Sequence, residues 1–419
     1  MIPMATDRRT FVSGLTTASL GLLWPGSWPG SRRGFVARAD DKEETTYLIG
    51  AVQRAPGHYA AAILEPGKDR LQFLPLPGRG HDTAIRPRTG ECIMFARRPG
   101  NFALIFDPRN RRQPQLITSR PDRHFYGHGC YDPKGKLLYT TENNIADGTG
   151  RIVVRDATDG YQWIGEFPAF GTGPHDMALL PDGKTLVIAI GGIETHPDFP
   201  DKPLNLPEMR PSLTYVDMET GDLLEQVSLG SDLHTLSIRH LDVGTDGTVV
   251  FGCQHYGSRL AMPPLVGFHK LGGKAQMVSV PEKLNRSMRN YVGSVSLDRA
   301  GDRAAVTSPR GGVALYFDVA SRRLIGNRRL KQVSGVAKTR DPHTFAHSTT
   351  GGGLNWITPG RPEGSHRRQP DGSQRRQPEG SIRRQPERSK RRQPEESKRR
   401  FENVMWDNHL SALIDDDKA

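Results

Sequence analysis

From residue 47 to residue 413 the chain alternates short runs of apolar, β-branched and aromatic residues with clusters of Gly, Asp, Pro and Asn. Runs of this kind bounded by turn formers predict strands joined by hairpins. The punctuation also recurs in a fixed order. In the unit opening at His128, a first strand ends at Asp132-Pro133-Lys134-Gly135 and residues 136–141 (KLLYTT) form a second. Residues 151–155 (RIVVR) form a third, and after the turn Asp156-Ala157-Thr158-Asp159-Gly160 residues 162–167 form a fourth. The same phrase returns around Pro181-Asp182-Gly183, Asp246-Gly247 and Ala300-Gly301, and upstream around Arg88-Thr89-Gly90. Units therefore open at His81, His128, His175, His240, Gly293 and Gly335. Their spacing of roughly 40 to 65 residues, with four strands in each, is that of propeller blades.

The two ends of the chain complement each other. Residues 47–53, 59–65 and 71–76 read as three outer strands lacking an inner one, while 406–413 (WDNHLSAL) reads as an inner strand with nothing after it. Joined, they make a seventh blade. The expected fold is all-β: a seven-bladed β-propeller with four-stranded blades, closed by both chain ends so that no inner edge is left unpaired.

The net charge of +12 suggests a nucleic-acid binder until it is divided along the chain. Residues 1–39 carry +4 and residues 361–400 carry +8, which leaves the propeller neutral and without the electrostatic footprint of a DNA or RNA binder. Asp7-Arg8-Arg9-Thr10-Phe11-Val12 is a twin-arginine pattern, and Ala37-Arg38-Ala39 is a small-x-small cleavage site. Residues 1–39 are thus expected to be a twin-arginine signal peptide that delivers the protein to the periplasm. The apolar stretch is too short for a span and is broken by Pro25 and Pro29, so no transmembrane segment is expected in the mature protein.

Residues 40–360 are assigned to the propeller and 361–400 to an eight-residue repeat (HRRQPDGS, QRRQPEGS, IRRQPERS, KRRQPEES, KRR). With Pro and two basic residues in every unit it has almost nothing to bury, and it is expected to be disordered. It interrupts one blade between the third and fourth strands. Residues 401–414 supply the closing strands and 415–419 an acidic tail. Cys92, Cys130 and Cys253 fall on separate blades, which fits either one disulfide plus a free thiol or three small buried side chains. No haem-attachment, paired zinc-cysteine, P-loop or GxSxG motif is present.

The chemistry concentrates where the blades repeat a polar residue. His81, His128, His175, His240 and His409 each open an inner strand, and inner strands of a propeller surround a common axis. Imidazoles in that number suit iron or another divalent metal such as Cu, Ni or Zn, and Glu142 or Asp176 could add a carboxylate. Propeller connectivity places on the same face Glu142, Asn143, His255, Arg310 and the two longest insertions, 191–212 (with His196) and 254–264. Long loops gathered at one mouth of a rigid scaffold are where a site is expected. Three functions fit these residues. One is an accessory or binding protein in metal handling. Another is a metal-dependent enzyme, for example a lactonase-like hydrolase in which Glu142, Asn143 and His175 hold an ion that polarises a carbonyl. The last is an interaction scaffold whose histidines are polar plugs bonded to neighbouring blades.

The twin-arginine leader, FYGHGCYDPKGKLLYTTENN, GTGPHDMALLPDGKTLVIAIGGIETHPD, LNLPEMRPSLTYVD, LSIRHLDV, YVGSV, TSPRGG and the terminal WDNHL together resemble the bacterial domain-of-unknown-function family numbered 1513. The likeness covers about residues 45–357 and 401–414. It implies a periplasmic propeller, often encoded beside imelysin-type iron-uptake proteins, which are then the expected partners, and beside a dihaem-peroxidase-like protein. It implies no particular reaction. The eight-residue repeat departs from the family pattern and puts the closure of the interrupted blade in question.

Overall fold

The structure, a computed structural model, describes residues 46–199, 202–360 and 397–414. The expected signal peptide, most of the repeat and the acidic tail lie outside the described residues. Seven antiparallel sheets follow one another along the chain, six of four strands and one of five strand segments, making a seven-bladed propeller. The inner strands of the second to seventh blades are Gly80–Ile85, Arg123–Tyr131, Pro174–Leu179, Leu236–Val243, Ser294–Leu297 and Val333–Lys338. Middle strands such as Cys92–Ala96, Phe102–Phe106 and Thr185–Ile190 are buried at every position. Each is covered on both faces by neighbouring blades, so apolar runs replace the usual alternation there. Outer strands such as Leu223–Ser228 face solvent and carry the polar residues. The recurring aspartates hold the hairpins: Asp132 Oδ1 accepts hydrogen bonds from the amides of Lys136 and Leu137, and Asp298 Oδ1 from those of Asp302 and Arg303.

The first blade is closed from the far end of the chain. Thr46–Ala55 pairs with Met405–Trp406 (Val52 opposite Trp406) and with Ser411–Ile414 (Leu48 opposite Ala412). The closing strand is not continuous over 406–413 as its sequence suggests. It breaks between Trp406 and Ser411, and His409 sits in the break.

The interrupted blade closes with four strands, and here the expected boundary moves. Ser397–Arg400, the last residues of the repeat, pair with Gly353–Ile357 as the outer strand, so the described propeller resumes at 397 rather than 401. Arg399 packs its guanidinium 5.3 Å from the Trp356 ring centroid. A bare Ser-Lys-Arg-Arg edge suffices because the outer strand needs one paired side only, and its charge discourages pairing with another chain.

Two further differences bear on the site. The strand expected to end at 141 continues as Leu137–Asn144, because its partner starts at Arg123 and the ladder runs on (Glu142 opposite Phe125, Asn143 opposite His124). Glu142 and Asn143 are therefore strand residues, not loop residues. A short helix, Glu282–Ser287, joins the fifth and sixth blades, and Asn285 Nδ2 donates to the carbonyls of Met262 and Pro263 in the neighbouring insertion. The three cysteines are free thiols, with Cys92 and Cys253 buried. Burial, reinforced by Asp176 and Asp132, pushes the Cys130 thiol up to about 12, so it stays protonated.

Candidate metal centre

Five histidines from five consecutive blades meet at the axis. His81, His128, His175, His240 and His409 are at most 7% exposed. Their ring centroids lie 4.4 Å apart for His81 and His409, 4.9 Å for His128 and His175, and 4.8 Å for His175 and His240. A local irregularity accompanies each one. Strand register slips between Gly80 and Thr83, between Phe125 and Gly129, between Pro174 and Asp176, and between Ile238 and His240. The fifth is the break holding His409. A bulge inserts an unpaired residue and re-aims the side chains around it, which is how an inner strand can turn a ring toward the axis instead of a neighbouring blade. In the sixth and seventh blades glycines stand at the corresponding positions. A Cβ on Gly335 would lie 2.5 Å from the His409 carbonyl carbon, so the His409 segment fills that space. Gly127 is constrained twice. Its φ is +107°, and a Cβ there would come 2.5 Å from the His81 ring.

Carboxylates hold the rings from behind. His128 Nδ1 is 3.1 Å from Asp82 Oδ2 and 3.2 Å from Asp176 Oδ1, while His128 Nε2 is buried without a partner. Asp176 is itself fixed by the Leu241 amide, 3.1 Å from its Oδ2. Asp407 lies 3.5 Å from His81 Nδ1 without a hydrogen bond forming, and is anchored by Arg79 at 2.5 Å. Among the described residues, Nδ1 of His81, His175 and His240 and Nε2 of His128, His240 and His409 are buried and unbonded. Buried polar atoms are ordinarily paired, so six orphaned ring nitrogens in one cluster need an explanation.

Electrostatics sort the rings into two kinds. Burial, then neighbouring positive partners (His409 for His81 and His240, Arg239 for His175), hold His81, His175 and His240 well below the usual imidazole range; burial also lowers His409. Burial acts on His128 too, but the carboxylates of Asp176 and Asp82 outweigh it and raise this ring to about 10. Four neutral imidazoles thus surround one held by two carboxylates.

The donor set fits a metal. Ligand atoms of His81, His128 and His175 lie within 4.8 Å of one another, as do those of His128, His240 and His409. A tetrahedral site with bonds near 2.0 Å needs donors about 3.3 Å apart, a spacing to which small ring rotations would bring either triad. His128 has the outer arrangement usual at metal sites, one nitrogen on carboxylates and the other unbonded, but an ion there would have to displace the proton that Asp82 and Asp176 hold on this ring. Below the rings, on the side away from the long loops, a cavity of about 270 Å³ has Asp82, Asp176, Asp242 and Lys338 as its charged lining, a net negative set. Above them, a cavity of about 570 Å³ is walled by the inter-blade and second-to-third-strand loops, including both long insertions. Residues of both long insertions thus line the same cavity as His81, His175 and His240.

The other candidates separate. Arg310 lines the upper cavity, 4.3 Å from the Tyr291 ring centroid. Glu142 is bound by Arg155 at 2.9 Å and Thr140 at 2.9 Å, and Asn143 Nδ2 lies 3.4 Å from His124 Nε2. Neither lines the cavity that His175 faces, so the hydrolase trio of Glu142, Asn143 and His175 is not assembled. His196 lies in the insertion near Asp198, and His255 beside Thr235; neither ring joins the cluster. Arg97 and Arg98, at the end of a second strand, fall on the histidine face as connectivity suggests, whereas the sequence reading assigns Asp82, Asp407 and Arg239 no role. The His-Asp pairs at 81–82 and 175–176 and the Arg-His pair at 239–240 were the available signal.

Fold and site together define a β-propeller with a histidine cluster on its axis. Its sequence from 74 to 413 matches the family model described as protein of unknown function, DUF1513, and the chain belongs to that family. No curated protein gave a significant match. Among solved structures, hydrazine synthase of Kuenenia stuttgartiensis is similar with a TM-score of 0.56 at 13% identity, over 76% of this chain and 96% of that one. A chain of a nidogen/laminin complex aligns with a TM-score of 0.46 at 14% identity, over 67% of this chain and 92% of that one. At such identities the first likeness speaks for the fold alone.

Proposed function

We propose that this propeller is a binding protein for a divalent metal ion, iron being the leading candidate, held on the axis by His81, His128, His175, His240 and His409. The observation that carries the reading is the convergence of six buried, unbonded ring nitrogens, with Asp82 and Asp176 behind His128. Both histidine triads contain His128, so a single ion drawing on both is the simplest occupancy. The acidic lower cavity gives a cation a favourable approach, and the neutral state of four rings means ligation there need not displace a proton. The twin-arginine pattern at Arg8 and Arg9 and the family resemblance support a periplasmic, accessory role in metal handling, with iron-uptake proteins of that compartment as partners. Among the described residues, no constellation on the histidine face favours a particular reaction.

Calorimetric titration of metal-stripped protein with Fe(II), Zn(II) and Cu(II) is the test. One ion per chain is expected, with at least a hundredfold loss of affinity in the His128→Ala/His175→Ala double variant and no change in His58→Ala, whose ring is on the surface. Equal isotherms for wild type and double variant would reduce the histidines to plugs.

A further inference from the structure

The upper cavity carries a charge pattern that a metal centre alone does not require. Arg97, Arg98, Lys202, Arg239 and Arg310 all line it, and among the described residues it has no Asp or Glu in its wall. Arg79 also borders it but is engaged by Asp407. None of the other five is in an ion pair among the described residues. Arg239 is only 2% exposed; its side chain donates to the Tyr256 hydroxyl at 2.9 Å and leaves Nε buried without a partner. Arg98 likewise has Nη1 buried and unbonded.

Burying guanidinium groups beside one another without counter-charge is expensive, because desolvation and mutual repulsion add. The repulsion is visible in Arg98, which burial and then Arg239 bring down to about 10. Such an arrangement is favourable once an anion fills the open donors. Arginine's planar fork suits carboxylate and phosphate oxygens. A volume of about 570 Å³ falls within the range of organic ligands, roughly 300–1,000 Å³, and is far larger than one inorganic ion needs. Tyr126, Tyr256, Tyr291 and Phe102 add walls that a carbon skeleton can lie against.

We infer that the upper cavity binds a small organic polyanion, a molecule with two or more carboxylate or phosphate groups, seated between Arg98 and Arg239 above the histidines. The inference stands on the arginines and does not depend on a metal being bound below. An anion in this place would also be positioned to offer oxygen atoms toward His81, His175 and His240 on the cavity floor.

The experiment is calorimetric titration of the full, metal-stripped chain with citrate and, separately, with pyrophosphate, at low and moderate salt. Binding of at least one probe is expected, weakening as salt rises. Tighter binding of citrate would point to a carboxylate ligand, tighter binding of pyrophosphate to a phosphorylated one. Arg98→Gln should lower affinity at least tenfold, and Arg310→Gln, on the exposed rim and safe for folding, by a few fold. No heat from either probe at millimolar concentration would overturn the inference. So would unchanged affinity in a folded Arg98→Gln/Arg310→Gln variant, or tight binding of an oligonucleotide when both small anions fail. Because no metal is present, failure here leaves the metal reading untouched, and failure of metal binding leaves this one untouched.

Discussion

Truncation after Glu402 is expected to abolish cooperative folding. The removed segment supplies both pieces of the closing inner strand and buries Trp406 (2% exposed), Leu410 and Leu413. Trp406 packs in one core cluster with Leu48, Val52 and Leu354, so its loss opens the seam between the first and seventh blades. Removing a buried Trp costs about 3–5 kcal/mol and each buried Leu about 2–5. The total, about 7–15 kcal/mol, is comparable to the whole stability of a typical protein, about 5–15 kcal/mol. The loss of His409 also removes one of the five axial rings, which packs 4.4 Å from His81. Scanning calorimetry should show one sharp transition for residues 46–414 and none for the truncated chain. A truncated protein as stable as the parent would rule out closure by the carboxyl end.

Acid is expected to unfold the metal-free protein well above the pH at which carboxylates titrate. His81, His175, His240 and His409 have folded pKa values below the unfolded value of about 6.5. Below pH 6.5 the unfolded chain therefore binds protons that the folded chain does not, and stability falls as pH falls, by up to about 1.4 kcal/mol per pH unit for each ring. His128 has the opposite sign. Raised to about 10, it contributes fully below pH 6.5 and loses that contribution only as pH climbs toward 10. It cannot offset the acid loss. Asp82 and Asp407, both held below the ordinary carboxylate range by their histidine and arginine neighbours against burial, add a further loss only as pH drops below about 4. Urea melts from pH 5 to 9 should show maximal stability near neutrality and a steep decline below pH 6.5. Saturating metal should move that decline to lower pH, because ligation keeps the rings neutral. Flat stability between pH 5 and 8 would show that these imidazoles are not forced neutral.

The propeller was legible in the sequence because its information is local. Hairpin turns leave their Gly and Asp signatures beside each strand, and copies of one phrase along the chain give the blade count. The five axial histidines were legible for the same reason, each standing at one place in its phrase. What the phrase does not encode is register. The slips beside His81, His128, His175 and His240 turn the rings inward, and nothing in an alternation of apolar and polar residues marks them. Contacts between blades were equally hidden. Asp82 meets His128 only when neighbouring blades pack, and Arg79 meets Asp407 only after the ring closes. Glu142 reads as a site residue because the apolar run ends at 141, three residues before the strand does, and because nothing local shows Arg155 reaching it. The outer Ser397–Arg400 strand was absorbed into the repeat because four polar residues carry no strand signal of their own; pairing with Gly353–Ile357 supplies it.

The most direct test of the proposed metal centre is the X-ray absorption spectrum of protein loaded with one equivalent of Fe(II) or Zn(II). Three or more imidazole ligands are expected from their ring-scattering pattern, falling in the His128→Ala/His175→Ala variant. A first shell of oxygen ligands without imidazole scattering, or a spectrum unchanged by the double substitution, would contradict a histidine-held ion on the propeller axis.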